Sequence, residues 1–499
     1  MRKHTVKYLQ IKNEFKQQIL SGLWPSGAKL PSEQQLCRRY GVSRITISAA
    51  LKALSTEQLI RRRQGSGTYV DVTPREKDYD DLFTQIAGPV EHEITYGVVA
   101  PNPLQEFVLK TLAGIFQVEN PGIRVRIVSL PKPEKQSDDA YLVHFANNDI
   151  PTCGEFFWHS AYSSRNALLP LENLPGYENL LASLHPQAGY ETEDGEGNKH
   201  VHALSLYVNS RQIIVNTELL SRAGVVDFNV PLTLPRLREW ILRLERLADK
   251  ANNEQLFAFF LDHPRGWHGV IGTLPYLWQG VPYSRYNPNS EDCFRELFNT
   301  ASCRQGLEFL AGIHRQARSA PETGYELFAL GKVGILLSTP NWPIILREMM
   351  SPKPPLRAYP IPAMAAGGSQ RHILAGHSVG IFRAGVRNER DLVSAWSWLR
   401  FLFRKQQQFL MTNDYSLPVR AEMDCLLQRN YPQLHAVMIE AMMDSRPQFD
   451  FVGIRLALGI VGRELLHLYQ HQCPVQETCE SIMEKLRLSF IATAGTTSF

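Results

Sequence analysis

No stretch of about 18 consecutive apolar residues occurs in this 499-residue chain, so no membrane-spanning helix is expected. The charged start Met1-Arg2-Lys3-His4-Thr5-Val6-Lys7 is followed by no apolar core, so no secretory leader is read and a cytoplasmic location is expected. Cysteine is sparse. Seven residues, at positions 37, 153, 293, 303, 425, 473 and 479, form an odd, scattered set without a CxxC pair. That pattern excludes a disulfide scaffold and fits reduced thiols. P-loops, HExxH helices and EF-hand loops are missing too, so no cofactor and no metal are expected. What remains is an ordinary globular composition, 44% hydrophobic, 20% charged and 10% aromatic, which excludes disorder and collagen. At roughly 100–200 residues per domain, the length predicts two to four domains.

The net charge of +4 conceals an asymmetry. Residues 1–72 hold 13 Lys and Arg against 4 acids, a net of +9, while the remaining 427 residues carry 40 bases against 45 acids, a net of −5. A basic head on a mildly acidic body predicts a polyanionic partner for the head alone.

Local patterning gives the head a fold. Tyr8, Ile11, Phe15 and Ile19 form one apolar helix face, and Gly22, Pro25 and Gly27 then break the chain. Ser32-Glu33-Gln34-Gln35 is a capping box that opens a second helix, Gly41 stops it, and Ser43 caps a third. In that third helix Ile47, Ala50, Leu51 and Leu54 must be buried, which leaves Arg44, Thr46, Ser48 and Lys52 outside. Two short β-like runs, Leu59 to Arg63 and Thr68 to Val70, are joined by the turn Gln64-Gly65-Ser66-Gly67. Three helices and a hairpin make a winged helix-turn-helix. Its third helix would enter a major groove N-terminus first, and Arg61, Arg62 and Arg63 would hold phosphates from the wing.

These residues resemble the GntR family of bacterial transcription regulators. Leu30-Pro31-Ser32-Glu33, Gly41-Val42-Ser43-Arg44, Ala50-Leu51 and Gln64-Gly65-Ser66-Gly67-Thr68-Tyr69-Val70 stand in the family's order and spacing, across about residues 5–71. The DNA-contacting set that the fold and the resemblance imply is Ser32, Glu33, Ser43, Arg44, Thr46, Ser48, Arg61, Arg62, Arg63, Gln64, Gly65 and Gly67. Family members often place Arg just after the Pro-Ser-Glu and again inside the recognition helix; here Gln34 and Ser48 stand there.

Residues 73–92 are charged and aperiodic, as a linker would be. From Ile94 the pattern is strand, helix (Leu104 to Glu119), strand (Ile123 to Val128), which predicts an α/β body with a mainly parallel sheet. Residues 93–490 resemble an extracellular solute-binding protein of the saccharide-binding type. Ala203 to Tyr207, Val215 to Val225, Leu232-Thr233 with its helix, Phe328 to Ile335, Pro360-Ile361-Pro362, Ser378 to Ile381 and Leu417-Pro418-Val419 carry the resemblance. It implies two α/β lobes, a hinge, and a ligand held between the lobes.

Saccharide sites pair aromatic platforms with hydrogen-bonding side chains. The candidate ligand contacts are Asn102, Glu106, Trp158, His159, Tyr207, Trp267, His268, Asn341, Trp342, His377 and Ser378; Trp240, Trp278, Trp396 and Trp398 are assigned to packing.

Two motifs point toward other chemistry. Gly376-His377-Ser378-Val379-Gly380 spells the G-x-S-x-G nucleophile elbow, with Asp391 or Asp414 and then His435 in Ser–acid–His order. The elbow needs a helix just after its serine, whereas Val379 to Arg383 continues as a β-like run. His467-x-x-x-His471-x-Cys473, with Cys479, has ligand-like spacing, but Pro474 begins a new segment and favours a helix–turn–helix with core thiols.

The expected architecture is multidomain: a winged helix-turn-helix (α+β) at 1–72, a linker at 73–92, and a two-lobed α/β periplasmic-binding-protein-like domain at 93–499. The expected function is a non-enzymatic, ligand-responsive transcription regulator. Its partners are a double-stranded DNA operator, a mono- or oligosaccharide effector and a second copy of the chain, with no membrane. The alternatives are a serine hydrolase using Gly376–Gly380 and a regulator whose body serves only as a dimerisation scaffold.

Overall fold

Ser32 starts a helix for a local reason. In the computed structural model its hydroxyl accepts the Gln35 N–H (3.3 Å) while the Gln35 carboxamide oxygen accepts the Ser32 N–H (2.8 Å). This reciprocal cap opens α1 (Glu33–Tyr40), and Gly41 closes it in the left-handed region at φ 60°, where a side chain would be strained. α2 (Arg44–Thr56) follows. Ile47, Ala50, Leu51 and Leu54 bury the predicted stripe against Ile11, Phe15 and Ile19, which lie among the helical residues between 7 and 19. β1 (Ile60–Arg63) pairs antiparallel with β2 (Gly67–Val70), Ile60 opposite Val70 and Arg63 opposite Gly67. Residues 27–30 add a third edge, with Val70 N–H donating to Ala28 O and Leu30 N–H to Thr68 O, both at 2.8 Å. The head is a winged helix-turn-helix.

The chain divides into two units, Met1–Ile86 and Ala87–Phe499. The structure describes residues 7–8, 11–12, 14–16, 18–19, 27–56, 59–63, 67–70, 86, 88–99, 103–130, 141, 145, 149–186, 188–189, 191–194, 196–251, 255–261, 267–279, 281–339, 341–363, 372–412, 415–420, 425–471 and 473–494.

In the body, β3 (His92–Val99), α3 (Pro103–Glu119) and β4 (Ile123–Leu130) form the expected βαβ opening, Ile94 lying beside Val125 in a parallel pair. Apart from a short hairpin, Thr192–Glu193 with Lys199–His200, the later strands are β5 (Cys153–Phe156), β6 (Leu204–Ser205), β7 (Tyr207–Ser210), β8 (Gln212–Asn216), β9 (Phe257–Leu261), β10 (Val333–Ser338), β11 (Leu356–Tyr359), β12 (His372–Ala375), β13 (Ser378–Ile381), β14 (Leu417–Pro418) and β15 (Ser445–Pro447). They build three sheets: β4-β3-β5-β13-β6 in lobe one, β9-β10-β8-β11 in lobe two, and a connecting sheet β14-β7-β12-β15. The run β6–β7–β8 visits all three in turn, and β12–β13 passes from the connecting sheet back into lobe one.

The sheets are mixed rather than mainly parallel. β3 pairs parallel with β4 and β5, and β9 with β10, but β13, β6, β8 and β11 join antiparallel. β8 and β13 arrive directly from strands of the connecting sheet and need no crossover helix, so nothing imposes the parallel direction on them.

Helices cover these sheets. α4 (Leu234–Lys250) is capped by Thr233, whose Oγ1 accepts the Arg236 N–H, and buries Leu237, Trp240, Ile241 and Leu244. α5 (Trp267–Leu277), α6 (Glu291–Leu297), α7 (Ala301–Gln316), α10 (Ile454–His471) and α11 (Val475–Ala494) share a second core, α9 (Glu389–Leu402) packs with lobe one, and α8 (Asn341–Glu348) packs beside the helix at residues 324–329 that follows lobe two. Trp240, Trp278, Trp396 and Trp398 are all buried. No described helix is long and apolar enough to cross a membrane.

One buried histidine group makes stability depend on pH. His202 contacts the Thr192 hydroxyl at 2.9 Å, and its pKa is pushed down to about 4 by burial and by the nearby His159 and His200, against the weaker pull of Glu172 and Asp194. Burial also lowers His159, with Asp450 opposing. Both groups titrate lower folded than unfolded (~6.5), so their contribution is complete above that pH and falls on acidification, that of His202 being lost as pH falls toward 4. Acidification from pH 7 to 4.5 is expected to weaken the body by about 2 kcal/mol after allowance for solvent screening. Melting curves of the parent and His202→Gln test this; equal pH slopes would remove His202 as the cause.

Candidate functional site

The head presents a charged triad at the start of α2. Arg44 is 83% exposed and its Nε donates to Glu33 Oε2 at 2.9 Å; Arg62, from the wing, reaches Glu33 Oε1 at 3.3 Å. One carboxylate on α1 therefore orients a guanidinium from the recognition helix and another from the hairpin. Exposed pairs of this kind contribute little stability, so both arginines can exchange Glu33 for a phosphate or a base edge. Ser43, Ser48, Arg61 and Gly67 lie on the surface or partly covered. Ser32 is committed to the α1 cap.

Thr46 corrects the sequence expectation. It is buried, with its hydroxyl 3.0 Å from that of Ser43, so it braces the turn into α2 instead of facing outward. The residue that pattern reading missed is Ile45, 81% exposed beside Arg44. An apolar side chain off the buried stripe was the available signal, and a thymine methyl is the base feature it would meet. The Arg63 side chain, Gln64 and Gly65 lie outside the described residues.

In the body, a polar cluster forms where the three sheets meet. Glu155, fully buried on β5, accepts from the Tyr96 hydroxyl (2.9 Å), Gln105 Nε2 (3.2 Å) and His377 Nδ1 (3.0 Å). Burial and the neighbouring carboxylate push the Tyr96 phenol well above its ordinary range, so it stays a donor. His377 sits between β12 and β13; Tyr207 stacks on it at 5.1 Å and Phe157 meets it edge-on at 4.1 Å. Gly376 beside it is obligatory, because a Cβ would fall 2.0 Å from the Tyr207 carbonyl oxygen. Asn341, at the start of α8 after the lobe-two strand β10, donates to Ser416 Oγ (3.0 Å), which Asn209 of the connecting sheet also reaches (3.1 Å). The Asn209 carboxamide oxygen is buried and has no partner among the described residues. Glu155 and Gln105 are the sequence-silent members. A carboxylate inside the apolar strand Cys153-Gly154-Glu155-Phe156 was the clue, since a buried acid demands partners.

The structure thus brings His377, Tyr207 and Asn341 to one junction. Ser378 follows as a buried strand residue opposite Phe156 and Ser205. Glu106 instead pairs with Lys110 (2.8 Å). Trp158 and His159 are drawn into packing: Trp158 is buried with Nε1 donating to Phe449 O (3.1 Å) and Arg455 over its ring, and His159 is fully buried against Asp450 (3.2 Å). His159 leaves no face for a ligand. Asn102 and the side chains of Trp267, His268 and Trp342 lie outside the described residues.

The competing motifs have other local explanations. Ser378 begins β13, which runs into a 3-10 turn and not into a helix, so the strand–turn–helix elbow is missing there. Asp391 is buried, receiving the Arg387 N–H (2.8 Å) and facing His92; Asp414 lies outside the described residues. His467 and Cys473 are in contact (3.0 Å), but Cys479 is buried with Cys303 on a different helix. Among the described residues no group of three His, Cys, Asp or Glu could hold a metal ion.

Comparison with known proteins agrees with both geometries. Residues 7–70 match the model of the bacterial regulatory proteins, gntR family, so the head is a GntR-family DNA-binding domain. An uncharacterized HTH-type transcriptional regulator of Bacillus subtilis, YurK, is 32% identical over 111 residues, 20% of this chain and 46% of the relative. The histidine utilization repressor of Pseudomonas aeruginosa is 43% identical over 63 residues, 13% of this chain and 25% of the relative. The chain therefore spans a quarter to about half the length of these relatives. The maltose-bound MalE3 of T. maritima matches 80% of this chain and 99% of its own, with TM-score 0.64 and 17% identity. The body has the fold of sugar-binding ABC solute-binding proteins.

Proposed function

We propose that the protein is a cytoplasmic, ligand-responsive transcription regulator whose body binds a mono- or oligosaccharide and thereby alters operator affinity. The observation that carries this reading is the junction cluster of Glu155, His377, Tyr207 and Asn341. It places aromatic and hydrogen-bonding side chains where strands of both lobes join the connecting sheet, in the fold of a protein solved with maltose. Saccharide bound there would bias the angle between lobes. As a homodimer, the protein would set one α2 in each half-site of a two-fold operator, and a lobe movement would change the geometry of the pair.

A thermal-shift panel of mono- and oligosaccharides on the full chain tests the binding half. A saccharide at 100 times its Kd is expected to stabilise the body by about 2.7 kcal/mol, an increment lost in His377→Ala and Asn341→Ala. A flat panel would favour the scaffold reading of the body.

A further inference from the structure

Outside the three-sheet junction, Trp278, Val281, Pro282, Arg285 and Tyr286 line a pocket of about 410 Å³ together with α6 and the first turn of α7. Small-molecule sites run from about 300 to 1,000 Å³. One wall is aromatic: the Trp278 and Tyr286 rings meet edge-on at 5.6 Å, and Tyr286 and Phe449 lie 4.9 Å apart.

The open polar groups are donors. The N–H groups of Ala301 and Ser302, the first two residues of the 16-residue α7, donate to no acceptor among the described residues, and the Thr300 hydroxyl already accepts from Cys303 N–H (3.1 Å). A helix start of this kind attracts an anion. Arg285, exposed at the rim, has no carboxylate partner among the described residues. Trp278 is fully buried in the wall and its Nε1–H finds no acceptor among the described residues. Behind the rings lies the Arg446 guanidinium, 5.8 Å over Trp278 and 5.1 Å over Tyr286. The one carboxylate in the lining, Glu296, is already matched by Arg295 (3.2 Å) and Asn299 (3.4 Å).

From this arrangement we propose a second ligand site, independent of the junction, for a small carboxylate with a ring-sized apolar body. The carboxylate sits on the first turn of α7 with Arg285 beside it, and the ring lies against Tyr286 and Phe449. A neutral ring leaves the donors unmatched, and a bare anion leaves the aromatic wall uncovered.

Calorimetric titration of the full chain with benzoate tests this, with benzamide as the neutral isostere and inorganic phosphate as the bare anion. Benzoate is expected to bind at one site per chain, with both comparators about tenfold weaker. Ala301→Pro removes one N–H at the first helical position, where proline is tolerated, and Arg285→Ala removes the cation; each is expected to weaken benzoate about tenfold. His377→Ala at the junction is expected to leave benzoate binding intact. Absence of benzoate binding, benzamide or phosphate binding as tightly, or equal affinity in Arg285→Ala would overturn the proposal. Arg285 is exposed, so that variant decides the matter even if Ala301→Pro disturbs α7. Loss of benzoate binding in His377→Ala alone would assign the acid to the junction and overturn a separate site.

Discussion

Glu155→Ala is expected to destabilise the body by about 1–3 kcal/mol, the cost of leaving buried donors without their acceptor. Three donors converge on this carboxylate, from β3 (Tyr96), from α3 (Gln105) and from the segment between β12 and β13 (His377). The Tyr96 ring is fully buried, so its hydroxyl cannot turn to water when the acceptor is removed. Gln105 and His377 retain partial access to solvent and should contribute less to the loss. Glu155→Gln keeps one acceptor oxygen and is expected to lose less than the alanine variant. Thermal unfolding with the far-ultraviolet signal as readout would register the change; a loss under about 1 kcal/mol, ordinary for a surface change, would mean that the network is not structural.

The second large effect belongs to the head. Arg44→Ala is expected to weaken binding to a selected operator by about 1–3 kcal/mol and to relax preference at the base it reads. Arg62→Ala, at the wing, should instead weaken all duplexes alike and lower the salt slope by about one, the behaviour of a phosphate contact. The two residues share Glu33 in the free protein, so the contrast between them does not follow from exposure alone. Binding titrations against the operator and an unrelated duplex at several salt concentrations separate the outcomes. Identical profiles for both variants would place Arg44 on the backbone.

The head was legible in the sequence because its determinants are local. The Ser32–Gln35 cap, the Gly41 stop and the Ile47–Leu54 stripe each lie within a few residues of what they control. Thr46 escaped that logic, since it lies one position before the buried stripe and its hydroxyl turns inward to meet that of Ser43. In the body, strands and helices were readable from periodicity, but the sheet directions were not: β13 and β8 take their neighbours from strands more than a hundred residues away. Trp158 shows the same limit at the site. Its surroundings are set by Phe449 and Arg455, and no pattern around residue 158 announces them. Glu155 was not singled out in the sequence, because only the fold supplies the three donors that give it a role. His377, Tyr207 and Asn341 were legible as residue types suited to sugars; that they share a junction is a property of the fold.

The most direct test joins the two halves of the protein. Operator affinity is to be measured with and without the saccharide that raises the body's melting temperature, and saccharide affinity with and without operator. Coupling between sites is a reciprocal free energy, typically 1–3 kcal/mol, so the two measurements should change by the same factor, about 5–150-fold. Equal operator affinity with and without a saccharide that demonstrably binds would contradict the regulatory reading.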